Sequence, residues 1–185
     1  IKVNPISSQI TLNSTDIIYE YDESNKTMLT LVGCSVDLVN ITVDGNNVAG
    51  ITYDAETKVI TLSGIDAGTH TLKVITTPDE NHTSVYTTAN VKVNMVNSSV
   101  KFSNEVHLYY SETGSTTLIL DGCTVDLVNI SVVDHPEALI VFEGDVITIS
   151  GLEEGQYTLN VTSTPDSNHY KVSNTTKIFV HKESP

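Results

Sequence analysis

Apolar and polar residues alternate in short runs along the whole chain. In "MLTLVG" Leu29 and Leu31 share one face. In "VITL" Ile60 and Leu62 do the same, and in "HTLKV" Leu72 and Val74 face one way while Thr71 and Lys73 face the other. A period of two over four to six residues predicts half-buried β-strands. Turn-forming clusters such as "DGNN", "GIDAG" and "TPDENH" separate these runs. No segment sustains a helical period, so the pattern predicts an all-β chain.

The pattern is written twice. "GCSVDLVNIT" (33–42) returns as "GCTVDLVNIS" (122–131), "VITLSGIDAGTHTLKV" (59–74) as "VITISGLEEGQYTLNV" (146–161), and "TTPDENH" (76–82) as "STPDSNH" (163–169). The second copy keeps each inward pair: Leu118 and Leu120, Ile147 and Ile149, Leu159 and Val161. The offset is 89 residues at the cysteines and 87 further on, because "YDAETKV" (53–59) shortens to "FEGDV" (142–146). A two-residue loss between apolar runs predicts a tightened hairpin loop. Six or seven strands in each unit of nearly 90 residues predict two tandem immunoglobulin-like β-sandwiches, elongated, with residues 1–94 as the first unit and 95–185 as the second. The opening "IKVN" (1–4) reads either as the trailing strand of an upstream unit or as a first strand, since "VKVN" (91–94) closes unit 1.

At "GIDAGTHTLKV" and "GLEEGQYTLNV" the chain resembles the L-x-x-G-x-Y-x-L-x-V corner of bacterial and archaeal immunoglobulin-like (Big-type) repeats. These repeats stack in adhesin-like surface proteins, and the "TPDENH" turn resembles those of methanogenic archaea. The resemblance spans both units. It implies an extracellular, cell-surface location, a non-catalytic stalk that presents a distal region, and neighbouring repeats as partners. It leaves two alternatives open: an adhesion module that binds a surface protein or glycan through end loops, "VDHPEALIVFEG" (133–144) first among them, and a filament subunit assembled by strand complementation. Tyr157 occupies the tyrosine-corner position, and His70 replaces it in unit 1, which puts that corner bond in question there. The antibody disulfide is absent; leucines stand at its expected positions.

Composition agrees with strands: Val, Ile and Thr make up about a third of the residues. The net charge of −14, with no arginine, argues against nucleic acid and against docking on anionic membranes, and favours divalent cations. No apolar run approaches membrane-spanning length. The chain opens on Ile without a leader, so a processed chain or an excised fragment is expected.

Candidate chemistry is sparse, and no cofactor, metal or catalytic residue is assigned. Cys34 and Cys123 hold one position in two domains, where equivalent points are expected to stand farther apart than the ~7 Å a disulfide allows, so no bond between them is expected. They are expected to be buried free thiols, with an intermolecular bridge as the alternative. His82 and His169 lie in turns where only Asp79 or Asp166 could join them on a metal. Asp37 and Asp126 recur without a second acid-base group, so surface placement or a bond to backbone is expected. Self-made cross-links common to both units are disfavoured, because Lys58, Lys73 and Lys92 align with Asp145, Asn160 and Phe179, and Gln9 and Gln156 are not equivalent. The main non-structural signal is N-x-S/T, at Asn13, Asn25, Asn40, Asn81, Asn97, Asn129, Asn160 and Asn174. These eight are the candidates for N-glycosylation. Alternation about Ile41, Ile130 and Leu159 predicts that Asn40, Asn129 and Asn160 face outward.

Overall fold

The computed structural model of the protein describes residue 4 and residues 6–182. The chain divides between Val96 and Asn97 into two compact units. Of "IKVN", residues 1–3 lie outside the described residues.

Unit 1 contains β1 (Ile6–Ser7), β2 (Gln9–Leu12), β3 (Asp16–Glu20), β4 (Ser24–Val32), β5 (Ile41–Val43), β6 (Ile51–Asp54), β7 (Val59–Ser63), β8 (Gly68–Ile75), β9 (His82–Thr83) and β10 (Tyr86–Asn94). Its two main sheets have the orders β2-β4-β7-β6 and β3-β10-β8-β5, and β1 pairs with β9 in a small ribbon. Unit 2 contains β11 (Ser99–Phe102), β12 (Val106–Tyr109), β13 (Gly114–Asp121), β14 (Ile130–Val132), β15 (Leu139–Glu143), β16 (Val146–Ser150), β17 (Gly155–Thr162) and β18 (Ser173–His181). Its sheets, β11-β13-β16-β15 and β12-β18-β17-β14, repeat the same order. These are the ABED and GFC sheets of an immunoglobulin sandwich.

The strand number exceeds the six or seven expected because the first strand of each sandwich is divided between the sheets, and in unit 1 also because the β1–β9 ribbon adds two short strands. β2 lies antiparallel to β4, and the chain then crosses so that β3 lies parallel to β10. β11 and β12 do the same against β13 and β18. Buried threonines hold the crossover. The Thr27 hydroxyl lies 3.0 Å from Asn13 Oδ1 and 3.1 Å from the Ser14 carbonyl, and Thr116 donates to the Asn104 carbonyl at 2.8 Å.

The core lies between the two sheets of each unit, where the alternation places it. Leu29, Ile60, Leu62, Leu72 and Val74 are buried, as are Leu118, Ile147, Ile149, Leu159 and Val161. Leu31 and Leu120 pack on the same cores but are half-buried. The leucines at the absent disulfide therefore fill the inter-sheet space. The shortened loop is a two-residue hairpin: Gly144 and Asp145 both have positive φ, 55° and 66°, between β15 and β16. Such a turn follows the twist of its strands.

Candidate functional site

The two most strongly repeated motifs meet in space. The turn after β4 carries Gly33, and the loop between β8 and β10 carries "TPDENH". Gly33 has φ +69°, which disfavours a side chain, and the His82 ring lies directly against it. A Cβ built there would stand 2.7 Å from His82 Nε2. Gly122, with φ +67°, receives His169 in the same way at 3.0 Å. Glycine therefore serves both the backbone turn and the close approach of the ring.

Each ring is fixed from behind. Asp79 Oδ1 accepts the backbone N–H groups of Asn81 and His82, both at 2.7 Å, and lies 3.0 Å from His82 Nδ1. Asp166 binds Asn168, His169 and the His169 ring in the same pattern. The Asn81 and Asn168 backbone N–H groups first, with the histidines, draw both carboxyls below their ordinary range. A second tie joins the loops: Thr77 donates its backbone N–H to the Ser35 carbonyl at 2.9 Å and its hydroxyl to Asp37 at 3.0 Å. Thr164 repeats both, to Thr124 at 2.8 Å and to Asp126 at 3.1 Å. Asp37 and Asp126 are exposed, as the surface placement expected from the sequence requires, and each also accepts a bond from a threonine hydroxyl on the facing loop.

The cysteines sit at the rim of this cluster. Both are free, and both are half-buried, which corrects the expectation of buried thiols. Each follows the glycine bend; Val36 and Val125 are buried in the cores, and Cys123 packs partly buried against the core of unit 2. Cys34 Sγ lies 3.5 Å from the Gln9 carbonyl and Cys123 Sγ 3.4 Å from that of Ser99.

At the opposite turn, Tyr157 forms the corner, its hydroxyl donating to the Glu153 carbonyl at 2.7 Å. His70 keeps that bond in unit 1: Nε2 lies 2.7 Å from the Asp66 carbonyl, and Nδ1 lies 2.6 Å from Asp44 Oδ2. Both ring nitrogens face acceptors, so the geometry calls for the doubly protonated imidazolium. Burial of the ring opposes the charge, but the bonds to Asp44 and Asp66 outweigh it and raise the His70 pKa. His70 and the Thr71 N–H lower that of Asp44.

The candidate glycosylation residues differ in their surroundings. Asn13, Asn81, Asn97 and Asn174 are exposed, and Asn25, Asn40, Asn129 and Asn160 are half-buried. Asn40 and Asn129 close 3₁₀ turns, Leu38–Asn40 and Leu127–Asn129, so strand alternation does not apply to them. Asn25 donates its side-chain amide to the Ile18 carbonyl and Asn174 to that of Val100, while Asn13 accepts from Thr27 and Met28. Of the lysines weighed as cross-link donors, Lys73 lies over the Tyr86 ring at 4.5 Å.

Among the described residues no group of three or more His, Cys, Asp or Glu converges. No helix is long and apolar enough to cross a membrane.

No family model matches the chain, and no curated protein matches it in sequence. Solved structures similar to it include the fibronectin(III)-like modules of Clostridium thermocellum CbhA, at 14% identity over 94% of this chain and 95% of that one, TM-score 0.34. The N-terminal four Ig domains of Dscam1 isoform 9.44 are similar at 8% identity over 97% of this chain and 47% of that one, TM-score 0.43. Murine CEACAM1b is similar at 13% identity over 94% of this chain and all of that one, TM-score 0.29. The strand order and the divided first strand in each unit identify two tandem immunoglobulin-like β-sandwiches.

Proposed function

We propose that the chain is a non-catalytic spacer in an extracellular, adhesin-like surface protein, its two units extending a distal region from the cell. The observation that supports this is the loop cluster. Gly33, Asp37, Thr77, Asp79 and His82, with their counterparts in unit 2, bond or pack against one another. Repetition here maintains a scaffold and leaves no paired groups facing a substrate. Glycans fit the same reading at Asn40, Asn81, Asn97, Asn129 and Asn160, whose side-chain amides make no hydrogen bond among the described residues. The test is replacement. Exchange of both units for an unrelated pair of sandwich domains of equal length should leave the activity of the parent protein intact, and antibody to the chain should label intact cells. Loss of activity on exchange, or labelling only after permeabilisation, counts against the spacer.

A second reading, adhesion through an end loop, has one supporting observation. A hollow of about 390 Å³ opens beside residues 130–140, lined by Val132, His135, Pro136 and Ile140 among others. Val133, Leu139 and Val141 are exposed nearby in sequence. Replacing residues 133–144 by the unit 1 segment "DGNNVAGITYDAET" should abolish partner binding under this reading and leave it unchanged under the first.

A further inference from the structure

Equivalent positions in the two units separate scaffold from individual features. On the outward face of β12 and β18, unit 2 carries His107, Tyr109, Phe179 and His181. The corresponding positions on β3 and β10 hold Ile18, Glu20, Lys92 and Asn94. The aromatic group is therefore absent from the shared fold, and the sandwich does not need it.

Its geometry is specific. His107 Nδ1 lies 3.2 Å from His181 Nε2, and the two ring planes are within 9° of one another. Phe179 stacks on His107 at 4.7 Å between centroids, and Tyr109 tilts against His181 at 5.9 Å. Both histidines are exposed and stand on adjacent, paired strands. Two imidazole nitrogens bound at ~2.0–2.1 Å to a tetrahedral ion stand roughly 3.3 Å apart. The pair already has nearly that separation, and its aromatic neighbours restrict both rings.

We propose that His107 and His181 form a two-histidine site for a divalent transition-metal ion of the zinc, nickel or copper type. The ion takes the lone pairs of His107 Nδ1 and His181 Nε2. The proton that bridges these atoms in the metal-free chain moves to the other nitrogen of its own ring, so neutral imidazoles bind without net proton release. Water fills the remaining coordination positions. Imidazole ligands select this class of ion over calcium or magnesium, which prefer oxygen. The net charge of −14 raises the local concentration of any cation.

The test is calorimetric titration of the whole chain, free of any affinity tag, with Zn²⁺, Ni²⁺ or Cu²⁺ alone in a non-coordinating buffer. Saturation at no more than one ion per chain is expected at this site, weakened at least about tenfold in His107→Gln and in His181→Gln. His135→Gln, in the exposed pair with Glu137, should leave it unchanged. In NMR spectra Cu²⁺ should broaden signals of residues 107 and 181 first, and far-UV circular dichroism of the variants should match the parent. Absence of saturable binding by the parent, equal binding by the histidine variants, or first broadening at His82, His169 or His70 overturns the proposal.

Discussion

Substitution of Gly33 by alanine tests whether the repeated motifs form one interlocked unit. Two separate costs are expected. A non-glycine residue in the left-handed region loses ~1–2 kcal/mol, and Gly33 sits there at φ +69°. The new Cβ would also stand 2.7 Å from Nε2 and 2.8 Å from Cδ2 of His82, so the ring must leave the place where Asp79 fixes it. Overfilling a packed site typically costs a further ~1–3 kcal/mol. The total is therefore roughly 2–5 kcal/mol, a large part of the stability of a domain this size. A double-mutant cycle separates the parts: in a His82→Ala background Gly33→Ala should retain only the backbone cost of about 1–2 kcal/mol. Gly33→Asn supplies the control, since asparagine tolerates the left-handed region but still carries a Cβ. Because two similar units unfold together or apart, hydrogen exchange read by peptide in urea is the appropriate assay, with unit 2 as the internal reference. Gly122→Ala should show a smaller coupling to His169, whose ring atoms lie at 3.0 and 3.2 Å. Equal costs of Gly33→Ala with and without the His82 ring would refute the interlock.

Three further outcomes follow from single side chains. The His70–Asp44 pair should make unit 1 most stable between the ordinary carboxylate and histidine ranges, roughly pH 4 to 6.5. The His70 contribution is complete below the unfolded histidine pKa and fades as pH rises through its raised folded value, and that of Asp44 fades as pH falls through its lowered value. His70→Tyr, which restores the residue used in unit 2, should flatten the pH profile of unit 1 in thermal or urea unfolding, and an unchanged profile would remove His70 as its source. The Tyr19 hydroxyl is buried without a hydrogen-bond partner among the described residues, and burial raises its pKa; Tyr19→Phe should therefore stabilise unit 1 by about 1 kcal/mol in urea unfolding, since removing an unsatisfied buried group relieves its desolvation. Tyr157→Phe should destabilise unit 2 by a similar ~1 kcal/mol through loss of the 2.7 Å bond to the Glu153 carbonyl, measured by the same exchange experiment.

Burial patterns within a strand were readable because a period of two assigns faces without knowledge of the partner strand. Ile60, Leu62, Leu72 and Val74 needed nothing else. Long-range relations were not readable in that way. His82 and Gly33 belong to different loops, and only the recurrence of both motifs in both units hints that they meet. The division of the first strand depends on the Thr27 and Thr116 hydroxyls, and threonine in a strand carries no signal that it will satisfy a crossing backbone. Cys34 and Cys123 are half-buried and not fully buried, because position next to a strand says nothing about the bend that glycine introduces just before them, although Cys123 still packs against the core of unit 2.

The repeat also changes how function can be sought in this chain. A residue type retained at equivalent sites of both units can be explained by the shared fold, as Gly33 and Gly122 are by φ and by the histidine packed on each. A residue pair found in one unit only has no such explanation. By that criterion the cysteines, the aspartates of the loops and His82 with His169 belong to construction. His107 with His181 does not, since Ile18 and Asn94 build the same two strands in unit 1 without it. The corner shows where the criterion must be applied by geometry and not by residue name: His70 and Tyr157 differ, yet each bonds the carbonyl four residues before it. What is individual to His70 is the second bond, to Asp44, and with it the charge. The repeated geometry therefore accounts for the corner in both units, and the departure from it identifies a part of unit 1 whose contribution to stability should change with pH.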